Sequence, residues 1–592
     1  MTESIPRPTE VRLTVHRPTV RSLGPRSVER PADAGSTLVG LYDDAAPTSV
    51  DRGGLVQRSN EEWSLDWWIG AEDRWYFPAR EATMRQRRLG AGPVIETALR
   101  VPRGDALHRC YGAMVAGTPV TVIEVENASP TPVTLALAVR PYGVTGKTDG
   151  RGTTAQAAAF VIDAHRVVRD GRVVVSLPRA ASDAAVSSDD PLIVLQAGDG
   201  LGGFGSSASA DGRAHGSGSY AVLVFPLPHR ATIRFLVPTS ADAGSVGHTL
   251  DPSHAPSSDA VSRGWNAVVD RGGRFLLPDN GLSERAGAAR ARLHLSRTPF
   301  ESLSGEPDAS AALLLLAGAA SGAVHAVAGN LAQFAETFPT QTFTPQTFTP
   351  QTFTPQTFTP EPSAAARSSL AFAVGWSAAA LNDRELATRV LEPLAQLVAL
   401  VDHNRASASQ EQRVAAVLGL AWACRGAGRP DDVARLVADV TALVPSPRAP
   451  TIGTSLASVE RTSEAAGGSG AFGRDDVVAA ARFWLDVRNL MLTEVDTSTV
   501  ELLPNFATAW RGGNVEVHHA RSPLGILDFA VRWHGYRPAL LWEFTPHGPA
   551  PVQLRCSALD PVWSTTEPKG EVLLAGSVDP LPVAPDPGDS FA

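Results

Sequence analysis

The densest chemistry-bearing stretch of the chain runs Trp63-Ser-Leu-Asp-Trp67-Trp68 and continues to Trp75-Tyr76-Phe77. Flat aromatic faces stack on the C–H faces of sugars, and Asp66, Glu72, Asp73 and Arg74 could bond sugar hydroxyls. Trp63, Asp66, Trp67, Trp68 and Trp75 are therefore the candidate substrate-binding residues. The same rings also suit a core, and abundance alone favours that reading, because tryptophan is mostly buried. A second group, Glu516, His518 and His519 with His534 beyond, lies in strand-like sequence. Glu516 and His518 would share a strand face, but two ligands do not make a metal site, and none is expected. Residues 198–219 are rich in Gly and Ser and follow an apolar run at 192–195, read as a strand. No apolar helix starts after them, so no helix N-terminus would face a phosphate, and no cofactor is expected.

The elements that must position these residues change character along the chain. From about 36 to 240 the period is that of strands. Val120-Thr-Val-Ile-Glu-Val-Glu126 alternates, Asn127 to Pro130 supplies a turn, and 133–139 resumes the pattern. Residues 161–168 and 173–177, joined at Asp170-Gly171, read as a hairpin, as do 220–227 and 231–237. Many short strands at this spacing predict a large sandwich. Beyond Trp265 the apolar spacing becomes three to four residues, with Ala, Leu and Arg prominent. Helices are predicted over 284–295, 309–334 with a break near Ser321-Gly322, 364–381, 384–401, 410–425, 431–444 and 475–492. Short polar links such as Asn382-Asp383 predict antiparallel helical hairpins. After about 500 the strand period returns.

The expected organisation is α+β and multi-domain. A flexible arm covers 1–35, a β-sandwich 36–265, a helical region 266–500, a C-terminal β-strand cap 501–580 and a tail 581–592. The helical region is interrupted at 339–361, where Gln-Thr-Phe-Thr-Pro repeats four times from Gln341 to Pro360. Proline at every fifth residue forbids a helix there. Repeat expansion into a surface insertion is the preferred reading, and a partner-docking strand the sharper one.

The 592 residues exceed what a single core serves, and a net charge of −9 argues against a nucleic-acid surface. Cys110, Cys424 and Cys556 are odd in number and widely spaced, and the opening residues carry no apolar leader. A reducing, cytoplasmic setting is expected. The apolar stretch 309–335 is diluted by Gly, Ser, His and Asn, so buried helices are expected there and no membrane span.

Asn60-Glu-Glu-Trp-Ser-Leu-Asp-Trp-Trp68 and Ile123-Glu-Val-Glu-Asn-Ala-Ser129 resemble the N-terminal sandwich of the six-hairpin glycosidases, the glucoamylase-like and glycogen-debranching-like proteins. Asn514-Val-Glu-Val-His518, Phe529-Ala-Val-Arg-Trp-His534 and Ala539-Leu-Leu-Trp-Glu543 resemble their C-terminal strand cap. The resemblance implies an α/α toroid between the two, and a glycoside-hydrolase-like protein acting on or binding an α-glucan or related oligosaccharide. Inverting hydrolysis needs an acid that protonates the leaving oxygen and a base that activates water across the ring. No pair here matches a family motif. Acids in or beside connections are Asp402, Glu411, Glu460 and Glu464, and these are the catalytic candidates, although Glu411 also suits a helix's first turn. The toroids of the family have about twelve helices, more than the segments counted here. The alternative is therefore a catalytically silent carbohydrate-binding or scaffold protein on the same fold, and a third reading is an interaction protein that docks a partner through its repeat.

Overall fold

The computed structural model describes residues 36–42, 44, 47–58, 61–141, 157–191, 195, 213–239, 250–295, 309–337, 364–403, 408–443 and 477–575. The Gln-Thr-Phe-Thr-Pro repeat, Glu460 and Glu464 lie outside them. The chain divides into two compact units. The first holds 48–87 and 95–258, and the second holds 35–47, 88–94 and 259–592. The expected boundary near 500 is not one of the divisions. No helix among the described residues is long and apolar enough to cross a membrane.

The first unit is built from two antiparallel sheets. One runs Thr48–Val50, Val56–Arg58, Ser64–Gly70, Val133–Arg140, Tyr220–Leu227, Asp183–Ser187, with Trp75–Tyr76 paired along Ser64–Gly70. The other runs Ala214–Gly218, Ala158–Ile162, Arg166–Arg169, Arg172–Ser176, Thr232–Pro238, Thr118–Asn127, Gly104–Val115, Ile95–Val101, Arg85–Arg88. Period-2 alternation sends Trp67, Leu135 and Phe225 of the first sheet toward the second. Trp67 stacks on His108 at 5.0 Å, Phe225 meets Phe235 at 5.2 Å, and Thr48 Oγ1 lies 2.7 Å from Thr121 Oγ1.

Two sequence expectations change here. Residues 220–227 and 231–237 do not form a hairpin, because their strands belong to different sheets. Thr118–Asn127 and Val133–Arg140 are likewise in different sheets, and both crossings meet at Asn127. Its amide nitrogen donates to the carbonyls of Thr131, Leu227 and Pro228 at 2.8–3.1 Å, and its Oδ1 accepts from Ser129 N and Oγ. Its backbone pairs with Ala231 and Arg230. The stretch 161–168 is broken as well, because Asp163 Oδ1 accepts from the backbone N–H groups of His165 and Arg166 and turns the chain. The expected Asp170-Gly171 turn is present, with both residues at positive φ, 48° and 76°.

The second unit contains α1 (Ser258–Val269), α2 (Asn280–Leu295), α3 (Ala309–Ser321), α4 (Val324–Thr337), α5 (Ala364–Ala380), α6 (Arg384–His403), α7 (Gln410–Gly426), α8 (Pro430–Leu443) and α9 (Val477–Met491). Local chemistry sets the ends. Asn382, at φ 57°, closes α5, and Asp383 Oδ1 caps α6 by accepting from Leu386 N at 3.0 Å. Ser409 and Gln412 form a capping box at the start of α7. Helices α5 and α7 cross where Gly375 faces Gly419, and a Cβ on Gly375 would overlap the Gly419 carbonyl. Two C-terminal sheets follow, one of Arg274–Leu276, Val515–Ser522, Gly525–His534, Arg537–Pro546 and Lys569–Leu573, the other of Leu492–Asp496, Thr499–Leu502, Gln553–Cys556 and Asp560–Thr565. They share one core with the helices: Leu315, Val374, Trp422 and Trp484 belong to the same cluster as Val517, Phe529 and Leu540. Trp484 stacks on Phe275 at 4.8 Å. The buried Arg488 pairs with the buried Glu494 through two hydrogen bonds, 2.5 and 3.1 Å long.

Candidate functional site

Alternation along Ser64–Gly70 splits the tryptophan run. Leu65, Trp67 and Ile69 point between the sheets, while Ser64, Asp66, Trp68 and Gly70 point to the opposite face. Trp67 is 1% exposed, and its indole N–H donates to the Gly53 carbonyl at 2.9 Å. Trp63, 3% exposed, donates to Glu61 Oε2 at 3.0 Å. Neither indole is open to a sugar, so the stacking role expected of Trp63 and Trp67 gives way to a packing one.

The opposite face gathers the remaining candidates. Trp68 pairs with Ala136, Ala136 with Val224, and Val224 with Asp183, in one row across four strands. Asp66 and Ala138 begin the next row. Alanines at 136 and 138 leave room above the sheet, and Trp68, Phe77, Leu195 and Val222 fill it. Trp68 meets Phe77 edge-on at 5.7 Å and is itself 1% exposed, so it is the floor of this face. Trp75 lies across Gly70, where any Cβ would come within 3.2 Å of the ring. Of the four candidate tryptophans it alone is partly exposed.

Arg140 organises the charge. Its guanidinium pairs with Asp66, 1% exposed, and with Asp190 at 3.3 Å, and sits 5.7 Å from the Trp68 ring. Burial raises the nearby Tyr220 hydroxyl, and the charges of Asp190 add to this against that of Arg140. The exposed rim is also paired. Arg74 bonds Glu81 through both terminal nitrogens, and Tyr76 donates to Asp73 at 2.8 Å. Burial, helped by Asp73, pushes Tyr76 up to about 12. Sequence reasoning missed Arg140, Asp190 and Asp183. Arg140 had one available signal, a cation closing a strand whose other outward positions are the small residues Thr134, Ala136 and Ala138.

Asp183 is a carboxyl that burial holds above its usual range. It stands three strands from the strand of Asp66, about 14 Å at the usual strand spacing. An inverting pair of carboxylates is separated by roughly 6.5–9.5 Å. Asp66 and Asp183 therefore do not flank one bond.

The hydrolytic candidates are scattered. Asp402, in the last turn of α6, accepts from Arg413 Nε at 3.1 Å. Glu411 is exposed in the first turn of α7, where it offsets the helix dipole. At the other candidate cluster, a bulge between Val517 and Ala520 sets His519 at φ 51°. His518 lies 3.4 Å from Glu516, and both histidines lie within 3.8 Å of Asp528. Among the described residues no group of three or more His, Cys, Asp or Glu side chains is arranged to hold a metal ion. Pro191 and Leu195 are helical, not the strand expected before the Gly-rich segment.

No family model and no curated protein sequence matches the chain. Among solved structures it is similar to a bacterial glucoamylase complexed with acarbose. The identity is 9% and the TM-score 0.41, over 72% of this chain and 69% of that one. A TM-score of 0.41 is too low for the likeness to bear on fold or chemistry.

Proposed function

We propose that this protein binds an oligosaccharide, an α-glucan or a related chain, without cleaving it. Its framework is read as a glycosidase-like β-sandwich with a helical toroid and β-cap. The observation that supports binding is the Trp75–Gly70 platform beside the Asp66–Arg140–Asp190 group. It pairs a partly exposed indole with fixed hydrogen-bonding groups on one sheet face. Three facts speak against hydrolysis. Asp402 is engaged by Arg413, Glu411 sits in a capping turn, and Asp66 and Asp183 on the sheet face are too far apart to share a glycosidic bond.

The test is a panel of α-glucan and other oligosaccharides, followed by thermal shift and by release of reducing ends. Binding without release is expected, with Trp75→Ala weakening it about tenfold, the worth of one aromatic contact. Release of reducing sugar, lost in Glu460→Gln or Glu464→Gln, would overturn the reading in favour of an inverting hydrolase. No shift with any sugar would remove the binding role itself.

A further inference from the structure

The five-stranded C-terminal sheet ends at Lys569–Leu573, which pairs with Arg537–Pro546 on one side and with no described strand on the other. Leu574 N donates to Pro538 O at 2.9 Å and Phe544 N to Pro568 O at 2.6 Å, so the even-numbered residues bond the neighbouring strand. The N–H and C=O groups of Lys569 and Glu571 therefore point away from the sheet, as does the Leu573 N–H. The Leu573 carbonyl already accepts from Arg537 at 3.1 Å. The side chains of Lys569, Glu571 and Leu573 stand exposed on one face. Lys569 bonds Glu543 at 2.9 Å, and Glu571 has no partner among the described residues. We propose that a second copy of this chain docks here, continuing the sheet by an antiparallel, twofold pairing centred on Gly570.

Charge selects both the occupant and the register. Only the odd-numbered residues, whose backbone groups are free, can face one another across the new ladder. A twofold axis at Lys569 would oppose two lysines, and one at Glu571 two glutamates. An axis at Gly570 sets Lys569 of each copy against Glu571 of the other, so the edge is complementary to itself. Gly570 does not weaken the strand, because Trp542 lies within 2.5 Å of where its Cβ would stand and covers it. Other edges are guarded against such pairing. Asp560–Thr565 carries Pro561 and a register shift, and Arg85–Arg88 presents three arginines. Lys569–Leu573 pairs without a shift and holds no proline. Leu573, 45% exposed, and Tyr536, 68% exposed beside Arg537, add apolar area at one end of the edge. The contact is short, so a weak, concentration-dependent dimer is expected.

Sedimentation velocity of the full chain over a concentration series tests this, with melting temperature as the check that each variant folds. The native chain is expected to be half dimeric at about 100 µM. Glu571→Lys sets lysines face to face at both contacts, and Lys569→Glu does the same with glutamates. Each should weaken the dimer at least about tenfold. The double variant, Lys569→Glu with Glu571→Lys, restores opposite charges and should recover the native dimer, which a merely structural effect of either change would not do. A native chain that stays monomeric throughout the series, a dimer unchanged in both single variants, or a double variant no better than the singles would each overturn the proposal.

Discussion

Asn127 shows how much one side chain can hold. Three carbonyls and a serine from two sheet crossings converge on its amide, and it is wholly buried. Asn127→Ala strands those groups away from water, at a cost of about 3 kcal/mol or more. Urea unfolding should show the midpoint drop, and Asn127→Asp should be no better, since a carboxylate would face three carbonyl oxygens. Buried histidines make a second prediction. Burial lowers His108 and His294 to about 4, and the neutral rings are what the fold accommodates. The unfolded chain binds protons at these positions from about pH 6.5 downward, whereas the folded chain does so only near 4. Their contribution is therefore full above about 6.5 and is lost as pH falls toward 4. Glu124 extends the loss further down. Burial alone would raise it, but hydrogen bonds from Arg234 and Arg109 hold it below its usual range, so its contribution fades as pH drops through that range. Melting temperature followed from pH 7.5 to 4.5 should decline, and His108→Phe should flatten the upper part of the curve. A melting temperature independent of pH there would contradict these assignments.

At the scale of elements, close approach of α5 and α7 depends on two glycines. Gly375→Ala places a methyl group against the Gly419 carbonyl and should cost at least about 2 kcal/mol. Gly329→Ala, where nothing lies within 4 Å of the added carbon, is the control and should be neutral or slightly stabilising in α4. Both are read by thermal unfolding followed by circular dichroism. The helices themselves were legible in the sequence, because three- to four-residue spacing and end signals such as Asn382-Asp383 act locally. Strand partners were not. The segments 220–227 and 231–237 satisfy every local criterion for a hairpin, yet Asn127, about a hundred positions away, directs them into different sheets. The site was legible in the same uneven way. Residue type flagged Asp66, Trp68 and Trp75, and period 2 could have separated Trp67 from Trp68. Arg140, Asp190 and Asp183 join the face only through pairings across Val133–Arg140 and Tyr220–Leu227, which composition does not encode. Helix α1 keeps helical spacing at Val261, Trp265, Val268 and Val269, so it too was legible in the sequence.

The second unit draws on widely separated parts of the chain. The C-terminal strands are part of the helical core, so truncation after Met491 should not leave a folded helical domain. The expected product lacks cooperative unfolding and binds a hydrophobic dye, and a sharp melting transition in the 259–491 fragment would contradict the shared core. Residues 35–47 belong to the same unit: Tyr42 packs on Trp265 and His294, and Asp44 N donates to Leu295 O at 3.0 Å. This arrangement has a consequence for biosynthesis. Chains emerge from the ribosome at about 5–20 residues per second, so Leu38 and Val39 leave the exit tunnel some ten seconds to a minute before α2 exists to cover them. They wait about as long again for the C-terminal strands that complete the core. The first unit can close as soon as Ser258 has emerged, whereas the second must keep an early apolar segment in hand until nearly the whole chain is made. Chaperone dependence should therefore track the second unit, and slowing translation late in the message should lower soluble yield more than slowing it early.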